Sequence, residues 1–159
     1  MELSATVKLA QQLVKIESIT PNDNGCQNLI ADILSKLGFK ITFIKHQGVT
    51  NLLAMHGEAS PFLLFLGHTD VVPTGDENTW QYPPFSGEIV DYEGRAYLYG
   101  RGSSDMKGGD AAMVTAMCDF VKAHPNHPGT IGLLLTSNEE GDAVGGTPYV
   151  AEYLKEKNL

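Results

Sequence analysis

Positive charge is scarce in this 159-residue chain: 11 Lys and Arg against 19 Asp and Glu leave a net charge of −8. That balance argues against nucleic acid as a partner, because phosphate recognition leaves a basic patch. It admits an acidic small molecule only where the few cations are well placed. Cysteine is equally scarce. Cys26 and Cys118 have neither C-x-x-C spacing nor the number for a disulfide framework, so they read as buried thiols in a reducing cytosol. No apolar run approaches the ~18 residues that span a bilayer. Met1-Glu2-Leu3-Ser4 lacks the basic-then-apolar pattern of a secretory signal, so the expected location is cytoplasmic, with no membrane partner.

Several motifs are missing too. The phosphate-loop order fails because Lys107 precedes Gly108-Gly109, and the dinucleotide fingerprint fails because Asp105 stands at its third glycine. No D-x-[DN]-x-[DN]-G calcium loop occurs. Ser103 and Ser104 have no G-x-S-x-G elbow and no readable His partner for nucleophilic work.

What is present is a globular composition, 42% hydrophobic and 19% charged, in a length that fits one domain with a real core. Helical spacing appears over 5–17, from Leu29 to Leu37, over 108–123 and over 147–157, where Pro148 sits in the first turn. Strand patterns appear over 39–44 and 51–56. The unbroken apolar run Phe62–Leu66 and residues 130–136 suit central strands covered on both faces. The stretch 73–94 reads as a long functional loop with a short strand near Glu88-Ile89-Val90. Its Trp80, Tyr82 and Phe85 read either as a substrate wall or as packing within the loop. The alternation of strands and helices predicts an α/β fold, a three-layer α/β/α sandwich on a mixed, mostly parallel sheet.

Acidic residues recur where strands end. Gly67-His68-Thr69-Asp70 follows the first apolar run, Gly100 to Gly109 with Asp105 follows Tyr97-Leu98-Tyr99, and Glu139-Glu140 follows the last. One His with several carboxylates at strand ends is the donor set of a hydrolytic metal centre. His68 and Asp70 lie two apart on one face, so His68 can ligate through one nitrogen while Asp70 accepts from the other. The alternative is a turn residue with an Asx-type partner. Gly100 and Gly102 let the chain bend close to such a site, and Asp105 could bridge two cations. Glu139 and Glu140 point different ways from one turn, so one can ligate while the other takes a proton from water. Alone, the pair would read as a solvated loop. His124 and His127 read as surface residues at a helix end, and His46 and His56 as surface residues without acidic partners.

His68-Thr69-Asp70-Val71-Val72-Pro73, Gly100-Arg101-Gly102 through Gly108, and Thr136-Ser137-Asn138-Glu139-Glu140-Gly141 together resemble the three motifs of the co-catalytic zinc aminoacylase/carboxypeptidase family. The resemblance runs over essentially the whole chain. It implies a zinc-peptidase-like fold with two Zn2+ per subunit, Co2+ or Mn2+ being possible substitutes. His68 would ligate one ion, Asp105 would bridge both and Glu140 would ligate the other. Glu139 would be the general base and Asp70 would orient His68. Pro83-Pro84-Phe85, His124-Pro125-Asn126-His127 and Gly25-Cys26-Gln27 narrow it to the branch that hydrolyses N-succinyl-L,L-diaminopimelate. An acetylornithine deacetylase-like or dipeptidase-like enzyme and a non-catalytic metal-binding module are the other readings. Ser103 and Ser104 depart from the Ala frequent in the family, and Asn138 from a frequent Asp. The resemblance further implies a carboxylate ligand beyond Leu159, a distant His and an inserted lid that makes a homodimer. The chain is therefore expected to be the N-terminal part of a catalytic domain, nearly inactive by itself.

Overall fold

A computed structural model describes residues 2–157. Helix α1 (Ala5–Val14) starts where the Ser4 hydroxyl accepts from the Val7 amide, and α2 (Cys26–Ser35) follows a left-handed Gly25. The Asp23 carboxylate takes the Gly25 and Gln27 amides there, which satisfies donors the helix leaves open. Strands β1 (Lys40–His46) and β2 (Val49–His56) form a hairpin. Its two-residue turn, Gln47-Gly48, has positive φ at both positions, the geometry that matches strand twist. Then come β3 (Phe62–His68), a second hairpin of β4 (Glu88–Tyr92) and β5 (Arg95–Tyr99), α3 (Gly108–Ala123), β6 (Thr130–Thr136) and α4 (Thr147–Glu156). The last three elements agree with the sequence reading to within a residue.

The main sheet has the order β1-β2-β6-β3, and β4-β5 stands apart as a two-stranded ribbon. Along β6, Ile131, Leu133 and Leu135 join one core with α1, α2 and α3, while Leu134 joins Ile44, Leu53, Val150 and Leu154 under α4. Helices therefore lie on both faces, and the expected three layers are present. Two expectations need correction. The sheet is mixed but not mostly parallel: among the described residues only β3–β6 is parallel, while β1–β2 and β2–β6 are antiparallel. The tight β1–β2 turn forces one antiparallel pair, and α3, between β3 and β6, supplies the crossover that a parallel pair needs. Nor is β3 central. It occupies an end of the described sheet, with Phe62, Leu63 and Leu66 exposed at 40%, 56% and 49%. An apolar run says nothing of how many neighbours a strand has, and here it is not matched by burial on both faces.

Candidate metal centre

The parallel β3–β6 pair positions the site. Its register places His68 opposite Thr136, so both strands deliver their carboxyl ends to one edge of the sheet, where α/β folds present their sites. His68, the last residue of β3, is buried. Asp70 follows it, and Glu139 and Glu140 leave β6 three and four residues past Thr136. The Thr69 amide donates to the Thr136 carbonyl at 2.9 Å and the Ser18 hydroxyl to the Thr69 carbonyl at 2.6 Å, which pins the turn after His68.

His68 Nε2 faces the carboxylates. It lies 3.2 Å from Asp105 Oδ1 and 3.7 Å from Glu139 Oε2. Ligand atoms of His68, Glu139 and Glu140 all fall within 4.8 Å of one another. The chain thus brings all four expected ligating and proton-handling residues together from three separate segments. Asp105 sits in the turn Ser103–Lys107, where its own backbone is extended (φ −120°, ψ 99°), and its side chain is exposed. That turn is wound tightly: a Cβ at Gly102 would collide with Val71, which accounts for the left-handed glycine.

Asp70 behaves differently from expectation. His68 Nδ1 lies 2.9 Å from the main-chain carbonyl of Asp70, whereas the Asp70 carboxylate is 3.6 Å away. The fully buried carboxylate instead accepts the backbone amides of Glu139, at 3.1 and 3.2 Å, and Glu140, at 3.1 Å. One residue therefore orients His68 through its carbonyl and the acidic pair through its side chain. Spacing in sequence cannot reveal that second link, because it joins residues 69 positions apart.

Asn138 is buried beside the pair. Its amide donates to Asp142 Oδ1 at 2.8 Å and to the Val144 carbonyl at 2.9 Å, and its oxygen accepts from Thr20. The neutral amide is what this loop needs, since a carboxylate could make neither donation.

The electrostatics fit a cation. Among the described residues no Lys or Arg pairs with Asp105, Glu139 or Glu140. Burial, followed by the charges of Asp105, Glu139 and Asp70, pushes Glu140 above the usual carboxylate range despite His68. Burial opposes protonation of His68, but the Asp70 carbonyl and the Asp70, Glu139 and Asp105 carboxylates outweigh it and raise its pKa. A histidine made basic by crowded acids, with one nitrogen fixed and the other facing them, suits a divalent ion. His68, Asp105, Glu139 and Glu140 have the donor chemistry for it.

Beneath the site lie two charged side chains that sequence reading passed over as sites, Lys107 and Asp110, both fully buried. Trp80 and Tyr82 pack edge-on against Tyr99 at the end of β5, and the Arg101 guanidinium lies over the Trp80 ring at 5.0 Å, so these two rings fasten the long loop to that strand. His56 is not a free surface residue: its Nδ1 lies 2.8 Å from Nε2 of His127. Likewise His46 stacks on Tyr149, with ring centroids 3.9 Å apart.

Comparisons with known proteins give the family and the fold. The succinyl-diaminopimelate desuccinylase of Ruthia magnifica subsp. Calyptogena magnifica is 53% identical over 156 residues, which cover 98% of this chain and 40% of that protein. The Coxiella burnetii (strain Dugway 5J108-111) protein of the same name is 50% identical over 157 residues, 99% of this chain and 41% of its own length. The chain thus spans about two fifths of the curated relatives it matches. Human carnosine dipeptidase 1 superposes with a TM-score of 0.79 at 24% identity, over 95% of this chain and 35% of that one. An M20 family metallo-carboxypeptidase, Sso-CP2 from Sulfolobus solfataricus, also gives 0.79 at 24%, over 97% and 34%. These two share the fold. The model for Peptidase family M20/M25/M40 matches residues 64–159, a span that opens inside β3 just before His68 and takes in the Asp105 turn and the acidic pair. By that match, and with the donors it contains brought to one strand edge, the chain belongs to peptidase family M20/M25/M40.

Proposed function

We propose that this chain carries the metal centre of an amide hydrolase that cleaves N-succinyl-L,L-diaminopimelate to succinate and L,L-diaminopimelate. The observation that carries the reading is the convergence of His68, Asp105, Glu139 and Glu140, with both glutamates held by Asp70. The choice of substrate rests on the relatives at 50–53% identity. His68, Asp105 and Glu140 are the residues assigned to hold metal, two Zn2+ per subunit, with Co2+ or Mn2+ as substitutes. Bound there, the metal would supply Lewis acidity at the amide carbonyl and lower the pKa of a water to about 7. Glu139 is exposed and reaches toward the same histidine nitrogen, which leaves its carboxylate open to water. It takes a proton from the attacking water and returns it to the departing amine nitrogen, so that water adds across the C–N bond. Asp70 holds the base in place by binding the amides on which both glutamates hang. The same reading carries a homodimer and a cytoplasmic setting.

The test uses the complete reading frame that encodes the chain, with N-succinyl-L,L-diaminopimelate, N-acetylornithine and a dipeptide as substrates. Zinc-dependent cleavage confined to the succinyl compound is expected. Glu139→Gln should lower kcat by about 10²–10⁴-fold, the ordinary range for losing a general base, with zinc binding nearly kept. Equal rates in the variant and the parent would refute the assignment of the base.

A further inference from the structure

The proposed function uses no group below the metal donors, yet a charged cluster lies there. Lys107 is 0% exposed, the one Lys or Arg classed as buried among the described residues. Its Nζ donates to the Ile16 carbonyl at 2.7 Å, just past the end of α1, and its own amide donates to the Gly102 carbonyl at 3.0 Å. Asp23, Asp110 and Asp70 are within its electrostatic reach, and the Phe85 ring lies 6.0 Å away. Two of those carboxylates, Asp70 and Asp110, are fully buried like Lys107 itself.

We propose that Lys107 is a positioning residue of the metal centre: its buried ammonium ties the Asp105 turn to the end of α1. The inference deepens the functional reading above and rests on it. The physical case has two parts. A buried ammonium is costly to leave without a hydrogen-bond partner, and the partner of Lys107 Nζ among the described residues is the Ile16 carbonyl, so this bond holds two distant segments together. Finally, Lys107 follows Asp105 by two residues in one tight turn. A Cβ at Gly102 would come within 3.3 Å of both Lys107 Cδ and the Asp105 carbonyl oxygen, so the turn is folded around the lysine stem. A tether at Ile16 therefore fixes where Asp105 stands.

Zinc affinity is the first readout, measured by competition with a chelating dye on the complete protein. Lys107→Met, which keeps the apolar stem and loses the donor to Ile16, should weaken zinc binding by about 10–100-fold, the range for outer-shell partners of metal ligands. It should also lower kcat more than it raises KM, because substrate does not touch Lys107. Lys107→Arg should retain most of the affinity. Parent-like zinc affinity in the methionine variant would overturn the proposal. Should Lys107→Met not fold, Lys107→Gln stays polar but is one bond too short for the Ile16 carbonyl. Affinity kept in that variant overturns the proposal, and affinity lost there but kept in Lys107→Arg supports it. A parent protein that binds zinc but cleaves no succinyl substrate would sink the functional reading alone, because the zinc comparison stands without it.

Discussion

Replacing Asp110 with asparagine should make the protein more stable, and increasingly so as pH rises. Asp110 sits in the first turn of α3, where the helix end favours negative charge, yet it is fully buried. Neither carboxyl oxygen has a hydrogen-bond partner among the described residues. Space is closed as well, since a Cβ at Gly67 would strike Asp110 Oδ1. Burial pushes its pKa from the ordinary 3.8 to about 7, against the pull of His68 and Lys107 and with help from Asp70. The unfolded chain therefore releases this proton first. The stability the protonated acid allows is complete below pH 3.8, drains away through the window to about pH 7, and stays lost above it. At about 1.4 kcal/mol per tenfold, the full loss is about 4 kcal/mol, of which about 2–3 kcal/mol falls between pH 5 and pH 8. Asparagine is nearly the same shape and equally unpartnered, but never ionises. Urea unfolding with a chelator present, on both proteins at each pH, isolates the effect, because other titrating groups are common to the pair. The stability advantage of Asp110→Asn should grow by about 2–3 kcal/mol from pH 5 to pH 8. A constant difference across that range would refute the reasoning and imply a partner for the carboxylate.

Zinc affinity should fall as pH drops through the raised pKa of His68, because the proton and the ion compete for one nitrogen. Each displaced proton steepens the fall by about tenfold per pH unit, and Glu140, also raised, adds to it nearer the acid end. Dye competition between pH 5 and pH 8 reads this, and a flat profile would contradict it. Asn138→Asp should destabilise the loop after β6, because it turns two donations into repulsions against Asp142 and Val144. A loss of about 1–3 kcal/mol is expected for stranding buried polar partners, measured by thermal unfolding, and an unchanged melting temperature would refute it.

The parts of this molecule that were legible in sequence are the ones whose signals are local. β6 and α3 carry their period and their stops within a few residues of their ends, and both were placed correctly. His68, Asp105, Glu139 and Glu140 stood out because each ends or follows a strand beside glycine, and the fold brings all four to one edge. The order of the strands left no such trace. Residues 62–66 are apolar enough for a central strand, but neighbours are chosen by register and connection length, which composition does not encode. The support beneath the metal donors was equally silent. Lys107 and Asp110 belong to a polar-looking helix entry, where charge normally faces water, and only packing against Ile16 and Gly67 reveals them as interior. Asp70 shows why such residues escape. Its carboxylate reaches amides of Glu139 and Glu140, and backbone amides exist at every position except proline, so no residue type marks the partner. A metal centre is therefore easier to find from its ligands than from the groups that aim them. Yet the aiming groups hold the separation between His68 and the two glutamates, on which the proposed ion site depends.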